Sequence, residues 1–146
     1  MSLSLMGRDA FLPFTHESMF YRVALLVCAI ALLPIGHTVR FSQGGAEWLH
    51  DIGGSLAYQI FWILLVMGCF PKASVMRVAI AVFLTSCAIE FLQLWQPPFL
   101  QAIRATLPGR LVLGNTFGWS DFPPYFVGSF LGWVWVKALR RWIRQT

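Results

Sequence analysis

Glu90, Gln93, Arg104, Arg110 and Asp121 are the residues whose types and spacing suit chemistry in this chain. An arginine meets a phosphate or carboxylate through a planar fork of N–H donors, and a carboxyl group gives or takes a proton. Brought together, these groups suit either gripping an anionic headgroup or acid–base work. In the second case Glu90 or Asp121 moves the proton and an arginine stabilises developing negative charge. A third role is purely structural, an ion-pair lock that fastens one segment to another. The other reactive types are dispersed. Cys28, Cys69 and Cys87 lack metal-ligand spacing and read as buried small hydrophobes, and His16, His37 and His50 are scattered. There is no Gly-rich phosphate loop and no nucleophile elbow, so neither a metal nor a cofactor is expected.

Composition dictates where the polar groups must sit. Of 146 residues, 58% are apolar and 12% charged, against about a quarter charged in an average soluble protein. No charge falls between Arg22 and Arg40, between Asp51 and Lys72, or between Asp121 and Lys137, and only Glu90 falls between Arg77 and Arg104. Each gap approaches the roughly 17–25 residues that a helix needs to cross a bilayer. The expected fold is therefore all-α and polytopic, a single membrane domain with four spans at residues 21–38, 52–70, 74–95 and 122–142. Pro34 with Gly36 should kink or end the first span, Pro71 stops the second, and Pro97-Pro98 follow the third. "SDFPPY" opens the fourth, with Ser120 or Asp121 placed to cap it and two prolines in its first turn. About twenty residues precede the first span, with no small-x-small cleavage site before Pro34, so a retained helix is expected.

Lysine and arginine set the orientation. Arg8, Arg22, Lys72, Arg77, Lys137, Arg140, Arg141 and Arg144 fall on one side, and Arg40, Arg104 and Arg110 on the other, which places both termini in the cytoplasm of a bacterial inner membrane. The net charge of +5 thus reports topology, and membrane lipids are the expected partners. Other integral membrane subunits are an alternative. Nucleic acid is excluded, because no basic, aromatic-interleaved soluble module exists to carry it.

Asp51 and Asp121 open the second and fourth spans, where a helix N-terminus favours negative charge. Glu90 lies thirteen residues beyond Arg77, roughly 20 Å along the third helix and so within hydrocarbon. A carboxyl group there is protonated, paired with an arginine, or wetted by a cavity, and all three outcomes are open. Gln93 extends the same face. Between the third and fourth spans, residues 97–120 read as an interfacial helix followed by a re-entrant loop. "PPFLQAIRATL" supplies the helix, "LPGR" fits a type II turn centred on Pro108 and Gly109, and "LVLGNTFGW" is too apolar to stand free in water. Folding back would carry Arg110, Asn115 and Thr116 inward, into a cluster with Asp51, Glu90, Gln93, Arg104 and Asp121. Gly128 with Gly132, and Gly53 with Ala57, form small-xxx-small faces suited to close helix packing.

"IEFLQL" followed by "IRATLPGRLVLGNTFGWSDFPPYFVGSFLG" resembles a bacterial family of small four-span inner-membrane proteins of unknown function, similar to the broader VanZ-like, teicoplanin-resistance group. The matching pattern comprises Glu90 and Gln93, Gly109 and Arg110, Leu113 to Phe117, and Asp121, Tyr125 and Gly128; His50, Asp51 and Tyr58 match it further upstream. The likeness covers about His50 to Gly132. It implies four spans, points to the same polar residues with Tyr58 and Tyr125 added, and carries no settled activity beyond a link to the cell envelope.

Three functions follow as alternatives. One is binding of an amphipathic envelope molecule, with Arg104 and Arg110 on its phosphate or carboxylate and Trp95, Phe99, Phe117, Trp119 and Tyr125 on its apolar part. Another is membership of a larger membrane complex as an accessory subunit. The last is a small intramembrane enzyme using Glu90 or Asp121.

Overall fold

A computed structural model describes residues 16–114 and 116–145, and all regular structure among them is helical. In chain order the helices are α1 (His16–Phe41), α2 (Glu47–Cys69), α3 (Val75–Leu92), α4 (Pro98–Ala105), α5 (Leu107–Leu113) and α6 (Phe122–Gln145), with one 3₁₀ turn at Trp119–Asp121. Three segments are long and apolar enough to cross a membrane: Met19–Val39, Glu47–Cys69 and Val75–Leu92. Helix α6 has 24 residues, but its C-terminal part from Lys137 onward carries Lys137, Arg140, Arg141 and Arg144.

The first helix runs through Pro34 instead of ending there. One turn later the Thr38 hydroxyl donates to the carbonyls of Pro34 and Ile35, each at 2.9 Å. Gly44 and Gly45, at φ 125° and 117°, then make a turn that a side chain would strain. Helix α2 starts at Glu47, so Asp51 does not open it. Asp51 is exposed one turn inside, and Glu47 takes the acidic place in the first turn.

"LPGR" likewise departs from the type II turn. Thr106 ends α4 in an extended conformation and begins α5, its Oγ1 accepting from Gly109 N–H at 3.1 Å. Pro108 falls in the first turn of α5, where its missing N–H costs nothing and its fixed φ favours the helix. A Cβ on Gly109 would collide with the Ile103 carbonyl, which explains how α4 and α5 pack so tightly as a hairpin.

Helix α2 is the hub, with α1 and α6 against it and α3 bridging α2 and α6. The small residues set these approaches. A Cβ on Gly128 would lie 2.8 Å from Gln59 Cβ, and one on Gly132 2.8 Å from Ile63 Cδ1. Gly53 and Ala57 serve the other face of α2, meeting Val39 and Gly36 of α1. Leu25, Ile63, Leu64, Met67 and Val136 are fully buried in the core between them. Trp48, Trp95, Trp119 and Trp142 lie exposed near the helix ends. Cys69 is exposed, contrary to its reading as a buried hydrophobe, because it is the last residue of α2; Cys28 and Cys87 are half-buried.

Candidate functional site

Three helices each contribute polar residues four apart, the spacing that stacks side chains on one helix face. They are Ser55 and Gln59 on α2, Ser86 and Glu90 on α3, and Tyr125 and Ser129 on α6, all buried. In the inner tier the Ser86 hydroxyl donates to Gln59 Oε1 at 2.8 Å and Gln59 Nε2 donates to Ser129 Oγ at 2.8 Å. The outer tier holds Glu90, 1% exposed. Its Oε1 accepts from Gly118 N–H at 2.7 Å and its Oε2 from the Tyr125 hydroxyl at 3.1 Å. Asp121 stands beside Glu90 and accepts from the Ser55 hydroxyl at 3.0 Å. Buried polar groups left without partners are costly in an apolar surrounding, and these tiers give each one a partner on another helix.

The same groups fasten the α4–α5 hairpin and the chain after it to the bundle. Tyr58 donates to the Val112 carbonyl at 3.0 Å, Gln93 Nε2 donates to the Leu113 carbonyl at 2.9 Å, and Glu90 holds Gly118 N–H. Every one of these ties grips main chain. Gly114 permits the turn at φ 62°, where a Cβ would fall 2.6 Å from Gln93 Nε2. The rings of Phe91, Phe117, Trp119 and Phe122 then close over this segment with centroids 5.0–6.2 Å apart.

Arg104 and Arg110 do not join the acids. Arg104, 6% exposed, reaches the end of α3 and donates to the carbonyls of Leu92 at 3.0 Å and Trp95 at 3.4 Å. A helix C-terminus exposes carbonyls without intrahelical partners and a partial negative charge, so a buried guanidinium is at home there. At the opposite end of the bundle Arg22 and Arg140 do likewise, donating to the carbonyls of Gly68 at 3.1 Å and Pro71 at 2.9 Å. Glu90 is thus partnered by a hydroxyl and a backbone N–H, with the Asp121 carboxyl beside it, and among the described residues no arginine is paired with it.

The arginines instead share a polar hollow of about 290 Å³ on the hairpin, lined by Gln96, Gln101, Arg104, Ala105 and Arg110. Arg110 is exposed. Arg104 Nε is buried without a hydrogen-bond partner, as is Gln93 Oε1 nearby in sequence to the capped α3 end. The Trp95 and Phe99 rings, 5.6 Å apart edge-to-face, stand on the same turn and helix as Gln96 and Gln101.

The expected single cluster therefore divides. Glu90, Gln93, Asp121, Tyr58 and Tyr125 come together; Arg104 and Arg110 form a separate basic hollow; Asp51 and Thr116 are exposed outside both. Asn115 lies outside the described residues. Ser55, Gln59, Ser86 and Ser129 were missed, although their spacing of four from one another or from Glu90 and Tyr125 is visible in the sequence. Among the described residues no group of histidines, cysteines and acids could hold a metal ion.

Residues 44–129 match a family described as "Protein of unknown function (DUF2809)". The chain belongs to this family. The DUF2809 match takes in α2, α3, the hairpin and the start of α6, and so contains both polar tiers and the basic hollow, while α1 precedes it. No curated protein and no solved structure matches the chain.

Proposed function

We propose that this DUF2809 protein is an integral inner-membrane protein that binds the anionic headgroup of an amphipathic envelope molecule in the hollow between Arg104 and Arg110. In this reading α6 is the fourth span, both termini are cytoplasmic, and the α4–α5 hairpin with the chain to Asp121 forms the interfacial and re-entrant cover on the extracytoplasmic side. The balance of lysine and arginine between the two ends supports that orientation. The VanZ-like resemblance of residues 50–132 agrees with an envelope role.

The carrying observation is that the two arginines line one polar hollow whose lining holds no carboxylate. Guanidinium groups so placed favour a phosphate or carboxylate, bound bidentately. Trp95 and Phe99 supply an apolar border for the rest of such a ligand. The acids play another part: Glu90 and Asp121 are occupied by donors that hold the cover in place, which favours binding over the alternative of intramembrane acid–base catalysis.

Mass spectrometry of lipids copurifying with the detergent-extracted protein tests the proposal. Arg110→Ala should lower occupancy of a bound anionic amphiphile about tenfold, the order expected when a charge-assisted contact worth roughly 1.5 kcal/mol is lost, while the melting temperature stays at the wild-type value. Unchanged occupancy would refute the site. The same preparation addresses the accessory-subunit alternative, since a complex of fixed stoichiometry would favour that reading instead.

A further inference from the structure

A second concavity lies away from the hairpin hollow. Between α2 and α3 runs a groove of about 470 Å³ with an almost wholly apolar lining, in the range of roughly 300–1,000 Å³ typical of small-molecule sites. Trp62 and Val66 form its α2 wall, and Val78, Val82 and Ile89 its α3 wall. The row along α3 runs from Arg77 to Ile89, about 18 Å at 1.5 Å per residue. That is close to the roughly 15 Å depth of hydrocarbon in one leaflet.

The two ends differ chemically. Arg77, exposed in the first turns of α3, stands at one end. At the other, Val112 of α5 lines the groove and is tied across to α2 by the Tyr58 hydroxyl. A transmembrane helix of a partner or of a second copy would have to run the full thickness of the bilayer, past Val112 of α5 at the far end of the groove. An acyl chain from one leaflet ends midway and meets no such obstacle. Its headgroup would then lie at Arg77, where a guanidinium complements a phosphate.

We infer that the α2–α3 groove is a binding site for one acyl chain of an anionic phospholipid, from the leaflet on the side of the α2–α3 link, with its phosphate on Arg77. This site is distinct in place and in leaflet from the hollow at Arg104 and Arg110. It stands on the groove's length, its apolar lining and the one cation among its lining residues, Arg77.

Native mass spectrometry of the full chain in mild detergent, titrated with palmitoyl-oleoyl phosphatidylglycerol, tests the inference. Wild type should retain one tightly held lipid in this groove, in addition to whatever the Arg104–Arg110 hollow holds. Arg77→Ala, a surface change with no burial to disturb, should weaken that binding about tenfold. Ala81→Trp, which puts a large ring into the groove, should abolish it. Arg110→Ala should leave this lipid in place, so failure here and failure of the headgroup proposal give different patterns. Retention of the lipid by both Arg77→Ala and Ala81→Trp would overturn the inference. So would an Ala81→Trp protein that changes oligomeric state while keeping its lipid, because the groove would then be a helix-docking face.

Discussion

Glu90 offers two carboxyl oxygens, and the fold aims one donor at each, the Gly118 N–H and the Tyr125 hydroxyl. Truncation to alanine leaves the buried Tyr125 hydroxyl and the half-buried Gly118 N–H without an acceptor, at about 1–3 kcal/mol for a buried unsatisfied group. Glu90→Ala should therefore lower the melting temperature in detergent markedly. Glu90→Gln keeps one acceptor oxygen and should lose less, and Tyr125→Phe, which removes a single bond, should cost about 1 kcal/mol. If Glu90→Ala melts with wild type, the fastening described above is wrong. The isolation of Glu90 in an apolar span was enough to identify it from sequence. Its partners were not legible: opposite charges in oil suggested an arginine, but the carbonyls at the end of α3 competed for Arg104, and only where α4 sets Arg104 down relative to that end decides the contest. Ser55, Gln59, Ser86 and Ser129 escaped notice because a lone serine or glutamine in a helix is unremarkable until the register between helices is known.

At the scale of elements, α6 approaches α2 over two glycines whose surroundings differ. An added methyl at Gly128 would press on Gln59 Cβ and the Leu56 carbonyl at 2.8 and 3.3 Å, neither of which can move without the helix. At Gly132 the nearest atom is the Cδ1 tip of Ile63, the far end of a side chain, which can turn about χ2 without moving the helix. Alanine in a helix interior also gains nearly 1 kcal/mol over glycine. Gly128→Ala should thus destabilise by about 1–3 kcal/mol through overpacking, whereas Gly132→Ala should be close to neutral. Thermal unfolding of the two variants side by side checks the ranking, and equal effects would contradict the packing. Charge-free gaps made α1, α2 and α3 readable in advance, and "SDFPP" marked the start of α6. "LPGR" was ambiguous because proline and glycine serve a turn and a helix start equally well. The Thr106 hydroxyl tips the choice, and a capping bond of that kind depends on where α4 stops.

For the whole molecule, the parity of spans decides where the two ends lie. Three apolar helices are evident by length and composition, and α6 as a fourth returns the C-terminus to the side of the N-terminus. Fusions of a phosphatase that is active only outside the cytoplasm should be silent at both termini. Activity at the C-terminus alone would mean that α6 does not cross. Tyr58, Gln93 and Glu90 clasp only peptide groups, those of Val112, Leu113 and Gly118. At Val112 and Leu113 the clasp is thus indifferent to the side chain, so these two residues can be exchanged for other helix formers without loosening it, whereas a Cβ on Gly118 would press on the Asp121 carboxyl. A single scaffold can in this way wear interchangeable caps, each presenting its own chemistry to whatever arrives at the surface.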